Sequence, residues 1–173
     1  MFRGCSSLTN APILPATEVD GSCYHSMFEG CTSLTSAPDL LATTLELYCY
    51  SHMFAGCSSL STAPSLPATT LAQDCYSYMF DGCTSLTKAP SLPAAELKVC
   101  CYENMFAGCN QLTELTVGFS DWTDTSTTSA TLNWVNGITN NDGWFNCPVE
   151  LEEIKDESHI PINWRVNKVV PRN

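Results

Sequence analysis

The pentapeptide frame Met-Phe-x-Gly-Cys recurs at Met1, Met27, Met53, Met79 and Met105, a strict 26-residue period over the first two thirds of the chain. A unit this short cannot bury its apolar side alone. Copies in register cover one another instead, so that a continuous core grows along one axis. The period predicts a solenoid, whose function is to be sought on a surface rather than in a deep pocket.

Aligning the copies separates frozen positions from free ones. Cys49, Met53 and Cys57 fall at i, i+4 and i+8, with Tyr50 and Phe54 one residue along, which reads as one apolar helical face. Gly56 and its counterparts Gly4, Gly30, Gly82 and Gly108 sit where such a helix would stop. Leu34, Leu60 and Leu86, followed by Ala37, Ala63 and Ala89, read as a short inward-facing strand. Pro38, Pro64 and Pro90 limit its length, because proline lacks the N–H that a parallel ladder needs. The Leu-Pro-Ala-Thr stretch that follows is expected to be extended. Strands stack ~4.8 Å apart and helices ~8–10 Å. A unit of strand, proline turn and helix is therefore expected to give a curved α/β solenoid with its strands on the concave side.

The net charge of -11 is spread evenly, with nine acids against three bases up to Leu112 and nine against four beyond it. Such a surface repels phosphate, which argues against nucleic acid as a partner. No apolar run approaches the ~18 residues of a membrane span, so membrane insertion is not expected.

Nine of the eleven cysteines fall at two repeat phases, Cys5, Cys31, Cys57, Cys83 and Cys109, and Cys23, Cys49, Cys75 and Cys101. Phase favours a ladder of buried thiols over disulfides or a metal centre, and there is no Cys-x-x-Cys pair to seed zinc binding. Cys100 and Cys147 are off phase; one of them is a candidate for an exposed, oxidisable thiol, and the favoured alternative is an adventitious cysteine in a reducing environment. His25, His52 and His159 have no spacing suggestive of a triad or metal site, and Ser7, Ser33, Ser59 and Ser85 recur with the turn. No phosphate loop or hydrolase motif is present. The sequence predicts no catalytic residue, no cofactor, no metal and no enzyme.

The frame Cys-x-x-Leu-x-x-Ala-Pro-x-Leu-Pro leading into Cys-Tyr-x-x-Met-Phe-x-Gly-Cys resembles the BspA-like, or treponemal-type, leucine-rich repeat. The resemblance covers residues 1–117 as four full units and a partial fifth. Its 26-residue unit is longer than the family's commoner 23, and Ala-Pro stands where Ile is usual. Because the chain opens at the first Met of a repeat, further repeats are expected upstream in a longer protein.

From residue 118 to 173 the frame dissolves. Residues 123–131 are crowded with Thr and Ser and read as a turn or linker. Trp134 in Asn-Trp-Val-Asn-Gly-Ile, Trp144-Phe145 and Ile160-Pro161-Ile162-Asn163-Trp164 then suggest short strands and tight turns. This segment is expected to cap the solenoid, with Trp122, Trp134, Trp144 and Trp164 covering its last unit; the alternative is a sugar-binding platform made by these tryptophans.

The free positions lie on and just after each strand. One row runs Asn10, Ser36, Thr62, Lys88, Glu114 and another Ile13, Asp39, Ser65, Ser91, Val117. Ser36, Asp39, Thr62, Ser65, Lys88 and Ser91 are the candidate partner-binding residues, since solenoids hold partners on exposed strand surfaces. The resemblance implies a surface-displayed or secreted adhesion or protein-interaction module for a host or bacterial surface protein or glycan. The rivals are a phage-borne receptor-binding or decoration protein and a purely structural spacer.

Overall fold

Tyr48, His52 and Gly56 all have positive φ, at 55°, 56° and 71°, and these left-handed residues lie inside the segment whose spacing predicts a helix. The same four-residue rhythm recurs at Ser22, Ser26, Gly30, at Asp74, Tyr78, Gly82 and at Cys100, Asn104, Gly108. The computed structural model describes residues 1–122 and 129–170, and among these there is no helix. The expected α component is thereby corrected. Residues 123–128 of the expected Thr/Ser linker lie outside the described residues.

What replaces the helix is a column of type II-like turns, which require φ > 0 at their third residue. Met53 N–H donates to the Tyr50 carbonyl at 3.2 Å and Cys57 N–H to that of Phe54 at 3.0 Å, each spanning three residues. The alternate N–H groups leave the copy altogether: Tyr50 donates to Cys75 (3.0 Å), His52 to Ser77 (2.9 Å), Phe54 to Met79 (2.9 Å) and Gly56 to Asp81 (2.7 Å). Every donor of the segment is used, half within the copy and half between copies. A helix would have satisfied only the donors beyond its first turn internally and left the copies bound chiefly by side chains. A left-handed conformation costs a non-glycine residue ~1–2 kcal/mol, and the inter-copy bonds offset this. Direct backbone bonding also brings the turn side to strand-like spacing, so the mismatch from which curvature was expected does not arise.

The strand side behaves as the prolines predict in the early copies. Asn10, Ser36, Thr62 and Lys88 pair in parallel through isolated bridges, each 26 residues from the next. Only then does a sheet widen, in the order β1 (Lys88–Leu92), β2 (Glu114–Val117), β3 (Trp144–Pro148), β4 (Arg165–Val169), all parallel. The register slips within β1, where Lys88 faces Glu114 but Ser91 faces Thr116. Ala89 and Pro90, both buried, together stand opposite the single Leu115, which makes this a bulge. Leu92 consequently pairs with Val117, and both are buried, so Val117 leaves the exposed row assigned to it and Thr116 takes its place.

Between the two sides lies the core. Leu34, Leu60 and Leu86 are fully buried, each two residues ahead of a bridged position, and so stand above one another. Phe2, Phe28, Phe54, Phe80 and Phe106 form a continuous stack with centroids 5.6–5.7 Å apart and ring planes within 8° of parallel. Tyr24, Tyr50, Tyr76 and Tyr102 form a second. Centroid spacing above the ~4.8 Å strand repeat is what offset stacking requires. The thiols take a specific role: Cys31, Cys57, Cys83 and Cys109 donate S–H to the carbonyl of the Phe in the preceding copy at 3.0–3.2 Å.

The segment after residue 117 continues the repeat under another sequence. Tyr102, Asn104, Phe106 and Gly108 donate N–H to Ala130, Leu132, Trp134 and Asn136, and Asn133 and Gly137 carry positive φ as Asn104 and Gly108 do. Trp134-Val135-Asn136-Gly137-Ile138 is thus the structural counterpart of Met105-Phe106-Ala107-Gly108-Cys109. Beyond it Trp122, Trp134 and Trp164 are buried, and their indoles donate to the carbonyls of Glu152, His159 and Asn140 at 2.8, 2.7 and 2.9 Å. Trp134 closes the aromatic stacks, lying 6.0 Å from Tyr102 and 6.3 Å from Phe106. Trp144 takes no part in this cover.

Candidate functional site

Ser36, Asp39, Thr62, Ser65, Lys88 and Ser91 are all exposed on the strand side. Backbone pairing aligns three of them, the bridges placing Ser36, Thr62 and Lys88 in one ladder. This ladder does not end with the repeats. Lys88 pairs with Glu114, Glu114 with Trp144 and Trp144 with Arg165, so one exposed row runs Asn10, Ser36, Thr62, Lys88, Glu114, Trp144, Arg165. A neighbouring row continues from Ser91 through Thr116, Asn146 and Asn167. The frame by itself pointed to neither Trp144 nor Arg165, because their offsets from Glu114 depart from the repeat period. Alternation of exposed and buried residues in Trp144-Phe145-Asn146-Cys147 was the available signal.

Side chains along these rows are held by one another. Lys88 Nζ lies 2.9 Å from the Glu114 carboxylate and Arg165 2.7 Å from that of Asp142, both pairs largely exposed. Asn146 Nδ2 donates to Glu114 (3.2 Å) and to the Thr116 hydroxyl (3.1 Å), and its Oδ1 accepts from Asn167 at 2.9 Å. The Arg165 guanidinium lies over the Trp144 ring, 5.3 Å from its centroid. The β1–β4 end of the surface is thus cross-linked by its own side chains.

The thiols offer little chemistry. Among the described residues, which include all eleven cysteines, no disulfide forms, and Cys5 and Cys23 alone are exposed. Cys100 and Cys147, of which one was a candidate for an exposed thiol, are both buried. Both lie beneath the surface because β3 and the turn column turn them inward. Burial pushes Cys49, Cys57 and Cys109 up to about 12 and Cys75 and Cys83 well above the usual range, far from the thiolate a nucleophile or zinc ligand needs.

One mixed donor cluster lies outside the rows. A carboxylate oxygen of Asp74, the Cys100 sulfur and a Glu103 oxygen lie within 4.8 Å of one another, a set able to hold a divalent cation. Its carboxylates already have donors, Gln73 Nε2 on Asp74 at 2.9 Å and the Tyr78 hydroxyl on Glu103 at 3.3 Å. Asp74 comes from one copy and Cys100 and Glu103 from the next, which is why spacing within a copy did not reveal the set.

The histidines are similarly engaged. His52 stacks on Tyr78 at 4.6 Å and touches the Ser51 hydroxyl at 2.9 Å; burial, then the charge of His25, lowers its pKa. His159 Nδ1 lies 2.7 Å from Asp156, which also accepts the Ser158 N–H, while the Ser158 hydroxyl accepts the Asn133 N–H. Burial raises the Asp156 pKa, but the bonds from His159 and Ser158 outweigh it and hold it low. These contacts tie the last turn to its neighbour and do not assemble a Ser–His–Asp relay.

Compared with known proteins, the chain matches no family model, no curated protein and no solved structure.

Proposed function

We propose that this chain is a non-enzymatic interaction or adhesion module that holds a macromolecular partner on its strand-side face. The reading includes a leucine-rich-repeat solenoid of the BspA-like kind, displayed on a cell surface or secreted, with a host or bacterial surface protein or glycan as partner. The family likeness rests on the repeat frame alone. The observation that carries the functional reading is the exposed row Ser36, Thr62, Lys88: its side chains differ from copy to copy while the Leu, Phe and Cys beneath them do not. A frozen core under a varied surface suits recognition through many small contacts.

The test is a binding screen against host matrix proteins, glycan arrays and bacterial surface extracts, followed by Lys88→Glu combined with Asp39→Ala. Binding should fall sharply with the melting temperature nearly unchanged, since exposed substitutions cost under ~0.5 kcal/mol and a surface ion pair such as Lys88–Glu114 ~0–1 kcal/mol. Saturable binding that survives the double substitution, or no saturable binding at all, overturns the strand-face reading.

A further inference from the structure

Of the four tryptophans, Trp122, Trp134 and Trp164 are at most 8% exposed, whereas Trp144 is 44% exposed. Its indole also differs chemically. The other three donate their N–H to backbone carbonyls, but among the described residues the Trp144 indole N–H has no acceptor. Apart from the Arg165 guanidinium over the ring, its cross-strand neighbours on β2 and β4 give it no apolar cover, Glu114 and Arg165 both being polar.

The ring borders a cleft of about 510 Å³ lined by Thr113, Glu114, Asp142, Asn146 and Asn167, within the ~300–1,000 Å³ common for small-ligand sites. Arg165 sits over the ring but does not line the cleft, so the guanidinium backs the indole without filling the space beside it. The two acids of the cleft are each paired with a base, Glu114 with Lys88 and Asp142 with Arg165, so the site carries no net local charge. The amides of Asn146 and Asn167 are already oriented by their mutual bond. A flat apolar face, a free indole donor, fixed amides and balanced charge describe the complement of a neutral molecule that is apolar on one side and rich in hydroxyls at its rim.

We propose that the cleft beside Trp144 is a saccharide subsite that takes an uncharged pyranose, its C–H face stacked on the indole and its hydroxyls bonded by Asn146, Asn167, Asp142 and Glu114. The assignment rests on the strand-side face being the interaction surface and names the chemical class that its β3–β4 end accepts. Stacking supplies apolar burial and the preset side chains supply orientation without an ordering cost. An anionic sugar is disfavoured by the surrounding charge of -11.

The full chain is titrated with the methyl glycosides of glucose, galactose, mannose and N-acetylglucosamine while tryptophan emission and acrylamide quenching are followed. Three indoles are buried, so quencher-accessible emission reports on Trp144. At least one glycoside should give a saturable blue shift and protect Trp144 from quencher. Calorimetry should show the affinity falling about tenfold or more in Trp144→Ala, and falling also in Asn167→Ala, an exposed change that leaves folding intact. No saturable response up to about 50 mM, well above the ~1 mM expected of one stacked sugar, overturns the proposal. So does protection of Trp144 that grows with protein concentration alone, which would mean a second copy covers it. If glycosides fail while partner binding stays sensitive to Lys88→Glu, the subsite is wrong and the strand-face reading stands. If glycosides bind while Lys88→Glu is without effect, the wider face is wrong.

Discussion

From Cys31 onward, the cysteine of the Met-Phe-x-Gly-Cys frame is explained by a bond that no other small apolar residue could make. The Phe54 carbonyl already accepts the Cys57 N–H, and the Cys83 thiol of the next copy donates to the same oxygen at 3.2 Å. This requires the protonated thiol. Below pH 9.0, the ordinary thiol value, Cys49, Cys57 and Cys109 are protonated both folded and unfolded, and their burial carries no proton penalty. Between 9.0 and about 12 the unfolded chain ionises while the folded one does not. Stability must therefore fall as pH rises through that window, by up to about 1.4 kcal/mol per pH unit for each such thiol. Urea denaturation at pH 7, 9, 10 and 11 checks this: a flat unfolding free energy above pH 9 would contradict buried, protonated ladders.

At the scale of the element, the turn column depends on residues that tolerate φ > 0. Gly82 has φ +70°, and a Cβ built there would meet nothing closer than the Gly56 Cα at 3.8 Å, so space is adequate and only conformation opposes a side chain. Gly82→Ala should then cost about 1–2 kcal/mol through backbone strain. A near-zero effect in thermal or denaturant unfolding would show that the turn can relax, and a cost far above this range would mean that the copies also move apart. The same column shows why the helix reading failed. Cys49, Met53 and Cys57 do repeat every four residues, but a row of four-residue turns produces that spacing as readily as a helical face does. Periodicity in one copy cannot distinguish them, because the deciding hydrogen bonds lie between copies.

Across the whole molecule, each copy is stabilised by its neighbours, so the last one needs a cover. Trp134 lies against the last ring of both aromatic stacks, the place such a cover would take. Trp134→Ala should cost ~3–5 kcal/mol, as for other fully buried aromatics, and lower the denaturation midpoint more than Phe2→Ala, whose ring is only half-buried at the opposite end. Equal effects of the two substitutions in parallel melts would argue against a capping role. The remaining ring of the expected cover, Trp144, instead joins the exposed ladder, which places the candidate saccharide cleft beyond the last recognisable repeat.

The 26-residue period by itself determined that the copies lie parallel and in register, which side chains form the core, and that Ser36, Asp39, Thr62, Ser65, Lys88 and Ser91 face outward. These follow from identity of environment: a residue repeated at one phase meets the same neighbours in each interior copy, whereas Cys5 and Cys23 of the first copy are exposed. Tertiary structure decided what depends on contacts across copies with no shared sequence. Turns replaced a helix because alternate N–H groups found acceptors in the next copy. Val117 went inward because a bulge at Pro90 shifted the register by one. Trp134-Val135-Asn136-Gly137-Ile138 became a further copy because backbone bonding and a left-handed Gly137 specify that shape, and neither needs Met, Phe or Cys.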